Sequence, residues 1–422
     1  MPRKFHKEYD HVFYFCMWGK KYLDEFKKYT CNSLIRNLRK TNNKKNLIYI
    51  WTLKDDLKYL KKQKIIKDLK KIIKIKFYVF DFIKEKYHFK NNKYVFLSTL
   101  QSLFIATFSF NCNYIWFLYP DFIFSDKSIK YIFQKLKKNK ELSSIMVPIP
   151  QVNLEAIESS HKKWGYDYIE KNLNEIIIKN LHEIVKIFDV RNTELNTVSV
   201  SCIHEKDYLL MNNFHLHPVV IKTDEKNYSY FNSVFPSLDE GYTSTLKNKK
   251  IYIPKSSDEV AFMSLLPQNE YKFQKYKFNI EETSTWCETH VNEFQRSNLN
   301  STFKFYIKNS EMENLKFNIK LIDKFKKRIL NRLNCSDEEL FKNRHFTQLA
   351  SRNTKNNTAI IENDLLKIKT LYLNSIYKNQ FYKTFKKSIK DRVMEIKNNN
   401  ENQLSKIIFD LYINIFKSKN IN

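Results

Sequence analysis

The chain has 422 residues, 42% of them hydrophobic and 28% charged, with 26 Tyr and 34 Phe; this excludes collagen, a coiled coil and global disorder, and at ~150 residues per domain it allows two or three units. Lys and Arg number 74 against 45 Asp and Glu, a net charge of +29, which points toward nucleic acid, an anionic membrane or a phosphorylated ligand. Only 3 Gly occur, and with abundant Lys, Asn, Ile, Phe and Tyr this is the bias an AT-rich genome writes at tolerant surface positions, so the charge is discounted as a guide.

The first 150 residues alternate between two periods, the pattern of βα units around a mainly parallel sheet. His11 to Met17 reads as a strand closed by Trp18-Gly19, and Tyr22 to Leu38 as a helix. Asn46 to Thr52 is a second strand. Asp55-Asp56 opens a long helix that stacks Leu57, Leu60, Ile65, Ile66, Leu69, Ile72 and Ile73 on one stripe. Ile75 to Phe80 is a third strand. Tyr94 to Pro120 carries no charge and is long enough to span a bilayer, but its Ser, Thr, Gln and Asn residues and the break at Asn111-Cys112-Asn113 predict a buried helix, capped by Ser98-x-x-Gln101, followed by a buried strand over Tyr114 to Tyr119. Ser125-Asp126 is expected to cap a helix to about Lys138, and Ser144 to Pro150 to form a further strand. Residues 151 to 200 read as mainly helical, and short β-like runs follow to about 255. Ser256-x-x-Glu259 predicts a second capping box opening a short helix into Ser264-Leu265. Beyond Pro267 the pattern turns to Lys-rich helical stretches, Leu315 to Leu333, Leu365 to Lys397 and Leu404 to Phe416.

The six Cys contain no C-x-x-C pair, so neither a zinc module nor a redox motif is indicated, and a reducing cytoplasm fits. The polar N-terminus carries no signal-peptide pattern. The expected fold is α/β: a Rossmann-like, mainly parallel sheet flanked by helices over residues 1–268, then a mainly helical region over 269–422.

In such a sheet ligands bind at the carboxyl ends of the strands. That directs attention to Trp18, Gly19 and Lys20 after the first strand, Thr52 and Asp55 after the second, Asp81 after the third and Asp121 after the fourth. There is no G-x-G-x-x-G, P-loop or nucleophile elbow, which removes the usual dehydrogenase, kinase and hydrolase readings. Asp121, ending an apolar run, can hold a divalent cation or a ribose. His215 and His217 lie two apart in a β-like run and so share a face, where both could join Asp121 on one metal ion. Alternatively, one imidazole contacts a phosphate and the other fills the core.

The frame Phe15-Cys16-Met17-Trp18-Gly19-Lys20-Lys21-Tyr22 with Phe26 and Ser33-Leu34, the strand end Ile50-Trp51-Thr52, and Leu118-Tyr119-Pro120-Asp121 leading to Phe124-Ser125-Asp126 resemble bacterial glycosyltransferases of the GT-A superfamily. The later series Phe214-His215-Leu216-His217-Pro218, Ser237-Leu238-Asp239-Glu240-Gly241-Tyr242 and Ser256-Ser257-Asp258-Glu259 with Ser264-Leu265 resembles them too, so the likeness covers about residues 10 to 268. The resemblance implies transfer of a sugar, a hexosyl group by default, from a nucleotide-diphosphate donor to a hydroxyl, with Mn or Mg bridging the diphosphate. Trp18, Gly19 and Thr52 would border the nucleotide, and Asp121 would stand at the Asp-X-Asp metal motif, where Tyr119 occupies the place of the first Asp. A carboxylate near the anomeric carbon can take the acceptor proton, and Asp239 or Glu240 in the acidic loop is the expected base. A surface glycan or lipid-linked precursor is the expected acceptor, reached by a cytoplasmic enzyme in peripheral contact with the inner face of an anionic membrane through its Lys-rich helices. The competing readings are a catalytically inactive GT-A-like scaffold and a basic protein binding nucleic acid or anionic membrane. Nucleic acid is not expected, since no zinc finger or RNA-binding signature is present.

Overall fold

The computed structural model describes residues 7–39, 41, 43–81, 111–191, 200–214, 216–223, 250–270, 297–308 and 312–330, together with Leu97, Leu100, Gln101, Phe104, Ile105 and Phe108. The central feature is a seven-stranded sheet. Strands β1 (Tyr9–Cys16), β2 (Asn46–Thr52), β3 (Lys74–Val79) and β4 (Cys112–Phe117) are parallel and lie in the order β3-β2-β1-β4. Beyond β4 come β10 (His217–Lys222), β6 (Ser144–Val147) and β11 (Ile251–Tyr252), of which β10 alone runs against the rest.

Alternation along the strands gives the sheet two apolar faces. Phe13 and Phe15 of β1, with Ile48 and Ile50 of β2, enter one core. That core is covered by α1 (Lys20–Glu25), a π-helical turn (Phe26–Thr30), α2 (Cys31–Leu38), α3 (Lys54–Lys62), α4 (Lys64–Lys70) and α5 (Ser128–Lys138). Tyr14, Tyr49 and Trp51 point to the opposite face and meet Phe104, whose ring stacks on Tyr14 at 4.1 Å. The buried Leu100, Phe104, Ile105 and Phe108 are helical, as expected of a buried helix there, and the strand that follows is β4, two residues earlier than the expected Tyr114 to Tyr119; Ser98 lies outside the described residues. Among the described residues no helix is long and apolar enough to cross a membrane.

Pro218 sits in β10 between two strands, where a missing N–H would break a ladder. The pairing with β6 shifts register between Pro218 and Val220, and pairing with β4 begins at Val220. The irregularity absorbs the proline.

Two small sheets complete the fold: β5 (Phe122–Phe124), β12 (Phe262–Leu266) and β7 (Gln151–Asn153), in the order β5-β12-β7, and β13 (Phe303–Tyr306), β9 (Tyr208–Asn213) and β8 (Val200–His204), in the order β13-β9-β8. A second core joins them to α6 (Leu154–Lys171), α7 (Leu173–Lys179) and α8 (Glu183–Lys186), and α9 (Leu315–Leu330) packs on the last sheet through Ile322.

Three sequence expectations change. The long helix after β2 breaks at Gln63, whose extended backbone separates α3 from α4. Ser256-x-x-Glu259 opens no helix: Ser256 bridges Lys304, Glu259 accepts from Tyr252 Oη at 2.7 Å, and the chain enters β12. Ser125-Asp126 gives α5 no side-chain cap, since Lys127 holds the cap position and Ser125 Oγ bonds Ser128 Oγ at 2.8 Å. In the last two cases a capping signal is local, and pairing to a distant strand or a neighbouring hydroxyl is stronger. The stretches Leu365 to Lys397 and Leu404 to Phe416 lie outside the described residues.

A line of buried polar side chains on the first helical segment holds the segment after β4. Thr30 Oγ1 donates to the Pro120 carbonyl at 2.6 Å, Phe124 N–H donates to Ser33 Oγ at 3.3 Å, and Asn37 accepts from Ile129 N–H at 3.1 Å while donating to the Ser125 carbonyl at 3.0 Å. Asn37→Ala strands a buried N–H and a carbonyl together, and is expected to cost about 2–3 kcal/mol. A lower urea midpoint at unchanged slope in equilibrium unfolding is the readout.

Candidate functional site

The order β3-β2-β1-β4 places a switch point between β1 and β4. The chain leaves β1 toward one flank of the sheet and β4 toward the other, so their carboxyl ends frame a crevice where ligands bind in open α/β sheets. Two segments enter it: Trp18 through Glu25 after β1, and Tyr119 through Asp121 after β4.

Gly19 turns the first segment at φ 84°, in the left-handed region, and its N–H donates to Asp56 Oδ2 at 2.9 Å. A β-carbon there would meet nothing, so the glycine is needed for its backbone angle alone. Trp18 lays its indole edge-on to Phe80 at 5.9 Å. Thr52, at the end of β2, is fully buried and its hydroxyl has no hydrogen-bond partner. Asp55 pairs with Lys58 on the surface, and Asp81 accepts from Lys54 N–H at 2.8 Å at the start of α3. Both acids serve the local chain.

Asp121 receives a hydrogen bond from Ser264 Oγ of β12. Burial pushes its carboxyl above the usual carboxylate range, an effect moderated by that hydrogen bond and by Lys21 and His217 nearby. Tyr119, two residues earlier, accepts from Gln101 Nε2 at 3.3 Å and sets its ring 5.0 Å from that of His217. His217 Nε2 lies 2.7 Å from the Phe117 carbonyl. A carbonyl can only accept, so this nitrogen carries the proton; His217 thereby ties β10 to the last residue of β4. His215 lies outside the described residues, and so do Asp239 and Glu240.

The structure adds an acid that sequence reasoning missed. Glu25 closes α1 where the π turn begins. It is 4% exposed, and among the described residues neither carboxylate oxygen has a hydrogen-bond partner. Burial pushes its carboxyl up to about 8, and the Asp121 carboxyl adds to this while Lys21 opposes it; Glu270 and Glu158 act in the same direction as Asp121. Lys21 itself pairs with Glu270. Tyr29, one turn further on, is fully buried with an unpartnered hydroxyl. The signal was spacing: Glu25 shares a four-residue stripe with Tyr29 and Ser33, both fully buried.

The Mn or Mg expected beside a diphosphate can be tested against these donors. Among the described residues no group of three or more His, Cys, Asp and Glu could hold a metal ion. Mg, however, is usually held by one or two carboxylates together with substrate phosphates and water. An orphaned buried carboxylate, Glu25, beside a second carboxyl, Asp121, fits that smaller demand.

No family model matches the chain, and no curated protein matches its sequence. Among solved structures, residues 1–349 of S. aureus TarS are 10% identical at a TM-score of 0.32, over 90% of this chain and 91% of that one. Mouse xyloside xylosyltransferase 1, in its apo form, is 9% identical at a TM-score of 0.30, over 58% of this chain and 87% of that one. Likeness this distant leaves the chemistry of the site to its own residues.

The raised Glu25 carboxyl makes stability depend on pH. The native state keeps a proton that the unfolded chain releases at the ordinary value of 4.5, so native stability is fullest below that value and falls as pH rises to about 8. Glu25→Gln mimics the protonated form and escapes the loss. Unfolding followed at pH 5 and pH 8 should show the variant gaining on the wild type by a few kcal/mol at the higher pH, at roughly 1.4 kcal/mol per pH unit.

Proposed function

We propose that this chain is a glycosyltransferase that moves a sugar, a hexosyl group by default, from a nucleotide-diphosphate donor to a hydroxyl of a surface glycan or its lipid-linked precursor. The observation that carries the reading is a half-buried acid, Asp121, on the loop after β4 at the switch point of the sheet, at the position where the Leu118-Tyr119-Pro120-Asp121 series resembles the diphosphate-binding acid of GT-A enzymes. A dinucleotide fingerprint is missing from the β1 turn, so a donor has to be held by the crevice acids and by Trp18, Gly19 and Thr52 rather than by a glycine-rich cradle.

In the reaction the acceptor oxygen forms a bond to the anomeric carbon, the bond from that carbon to the diphosphate oxygen breaks, and the nucleoside diphosphate leaves with the electron pair. The acceptor proton passes to a carboxylate, for which Asp239 or Glu240 is proposed. A divalent cation, when bound, neutralises charge on the departing diphosphate. The contribution of Asp121 is to fix charge and position at that end of the donor, with Ser264 orienting its carboxylate. Gly19 shapes the turn beside it, and the indole of Trp18 offers a face for a nucleobase.

Peripheral contact with an anionic membrane belongs to the same proposal. Lys58, Lys61, Lys62, Lys64, Lys67 and Lys70 are exposed on α3 and α4, and such a band can rest on acidic headgroups next to a lipid-linked acceptor.

Thermal unfolding across a panel of nucleotide sugars, with and without Mn or Mg, tests the donor. One donor is expected to raise the midpoint by mass action, and Asp121→Asn to abolish the shift and lower turnover at least 100-fold. Unchanged donor binding and turnover in Asp121→Asn would remove the reading.

A further inference from the structure

Tyr119 stands where the resemblance places the first acid of an Asp-X-Asp pair, and its surroundings give it other work. Its hydroxyl accepts from Gln101 Nε2 at 3.3 Å, and its ring packs 5.1 Å from Phe122 and 5.0 Å from His217. A phenol in that setting is no substitute for a carboxylate. The nearby imidazole has one nitrogen engaged, because His217 Nε2 donates to the Phe117 carbonyl at 2.7 Å. A second carboxyl comes from a different part of the chain: Glu25 ends α1 on the helical segment whose Thr30 Oγ1 donates to the carbonyl of Pro120, the residue before Asp121, at 2.6 Å, and the Asp121 carboxyl is among the groups that act on it.

Glu25 has no structural task that would explain it. Among the described residues its side chain caps no helix, forms no ion pair and accepts no hydrogen bond, yet it is 4% exposed. A carboxylate stripped of water without a partner is costly, and proteins retain one where a ligand supplies the missing interactions. A second buried polar atom lies one helical turn further along the same segment, the unpartnered Tyr29 hydroxyl, on which the Glu158 and Glu25 carboxylates both act. Asp121 carries the support expected of a metal-ligating carboxylate, a hydrogen bond from Ser264. Lys21, whose charge acts on both carboxyls, is occupied by Glu270.

We infer that Glu25 and Asp121 together form a divalent-cation site, in which Glu25 supplies from the helical segment after β1 the carboxylate that Tyr119 does not supply after β4. Two protein carboxylates leave the remaining positions of an octahedral ion to water and to phosphate oxygens, so the site is incomplete without a phosphorylated ligand. The inference rests on the glycosyl-transfer reading only for the identity of that ligand.

The test uses Mn as the probe on the full chain. Free and bound Mn are distinguished by electron paramagnetic resonance, in a titration of protein alone and in the presence of each nucleoside diphosphate in turn. Wild type is expected to hold one Mn, tightened by a nucleoside diphosphate. Glu25→Gln and Asp121→Asn should each weaken Mn at least tenfold while unfolding at or above the wild-type temperature in the absence of metal, and Asp68→Asn, a surface acid paired with Lys71, should leave it unchanged. Wild-type Mn affinity in Glu25→Gln overturns the inference, as does absence of Mn binding by the wild type in every condition. A site that depends on Glu25 but is tightened by no nucleoside diphosphate upholds the cation site and removes the glycosyl-transfer reading.

Discussion

The site depends on one line of contact: the docking of the first helical segment against the chain that follows β4. Thr30, Ser33 and Asn37 are buried polar residues on that segment, and each is satisfied by backbone from Pro120 to Ile129. These bonds are directional, unlike the apolar contacts around them, so they set the depth and rotation of the helix as well as its affinity for the sheet. The π turn at Phe26–Thr30 lies at the head of the line. It inserts an extra residue into the helical repeat, and such turns often appear where a side chain must be re-aimed. Glu25 comes immediately before it, and Asp121 immediately after Pro120. The same bonds that pack the helix therefore bring an acid from one segment to an acid of the other.

Much of the frame was legible in the sequence because it is written in apolar periodicity. Asn46–Thr52 is buried at every position, and its strand was read with the bounds it has in the structure. Tyr94 to Pro120 could be assigned to the interior because its polar residues forbid a lipid-facing helix, and Gln101 is indeed buried with a partner, Tyr119. Pairing between distant strands was much less legible. Ser256-x-x-Glu259 has the letters of a capping box, yet its neighbours form β12, because Phe262 to Leu266 is claimed by β5 and β7. Local chemistry lost to long-range pairing that no window of sequence contains.

The site divides in the same way. Asp121 was singled out because topology names the residue after the fourth strand, and topology is visible in the alternation of strands and helices. Glu25 was not, since an acid within a Lys-rich helix reads as part of a solvated face until the helix is known to turn that face inward. His217 was read from spacing as a possible metal ligand, and its imidazole gives Nε2 to the end of β4. The β10–β4 ladder stops at Val220 and Trp116, close to a proline that has no N–H to give. A side-chain donor there continues the connection where the backbone cannot.

Charge has the opposite sign locally to its sign overall. The chain carries +29, which by itself predicts attraction for anions of every kind. Around Glu25 the acting groups are Asp121, Glu158 and Glu270 against Lys21, and Glu158 and Glu270 are already paired with Lys28 and Lys21. What is left at the switch point is therefore the buried, unpartnered Glu25 carboxyl and the half-buried Asp121 carboxyl held by Ser264. Such a pair repels a diphosphate and attracts protons or a dication, and burial strengthens both effects because little solvent intervenes. The surface charge can gather anionic ligands or hold the protein at an anionic surface, but it cannot seat a phosphate beside Asp121. Seating one requires the carboxyls to be neutralised first, so cation and phosphate should bind to this site cooperatively, each reducing the electrostatic cost of the other.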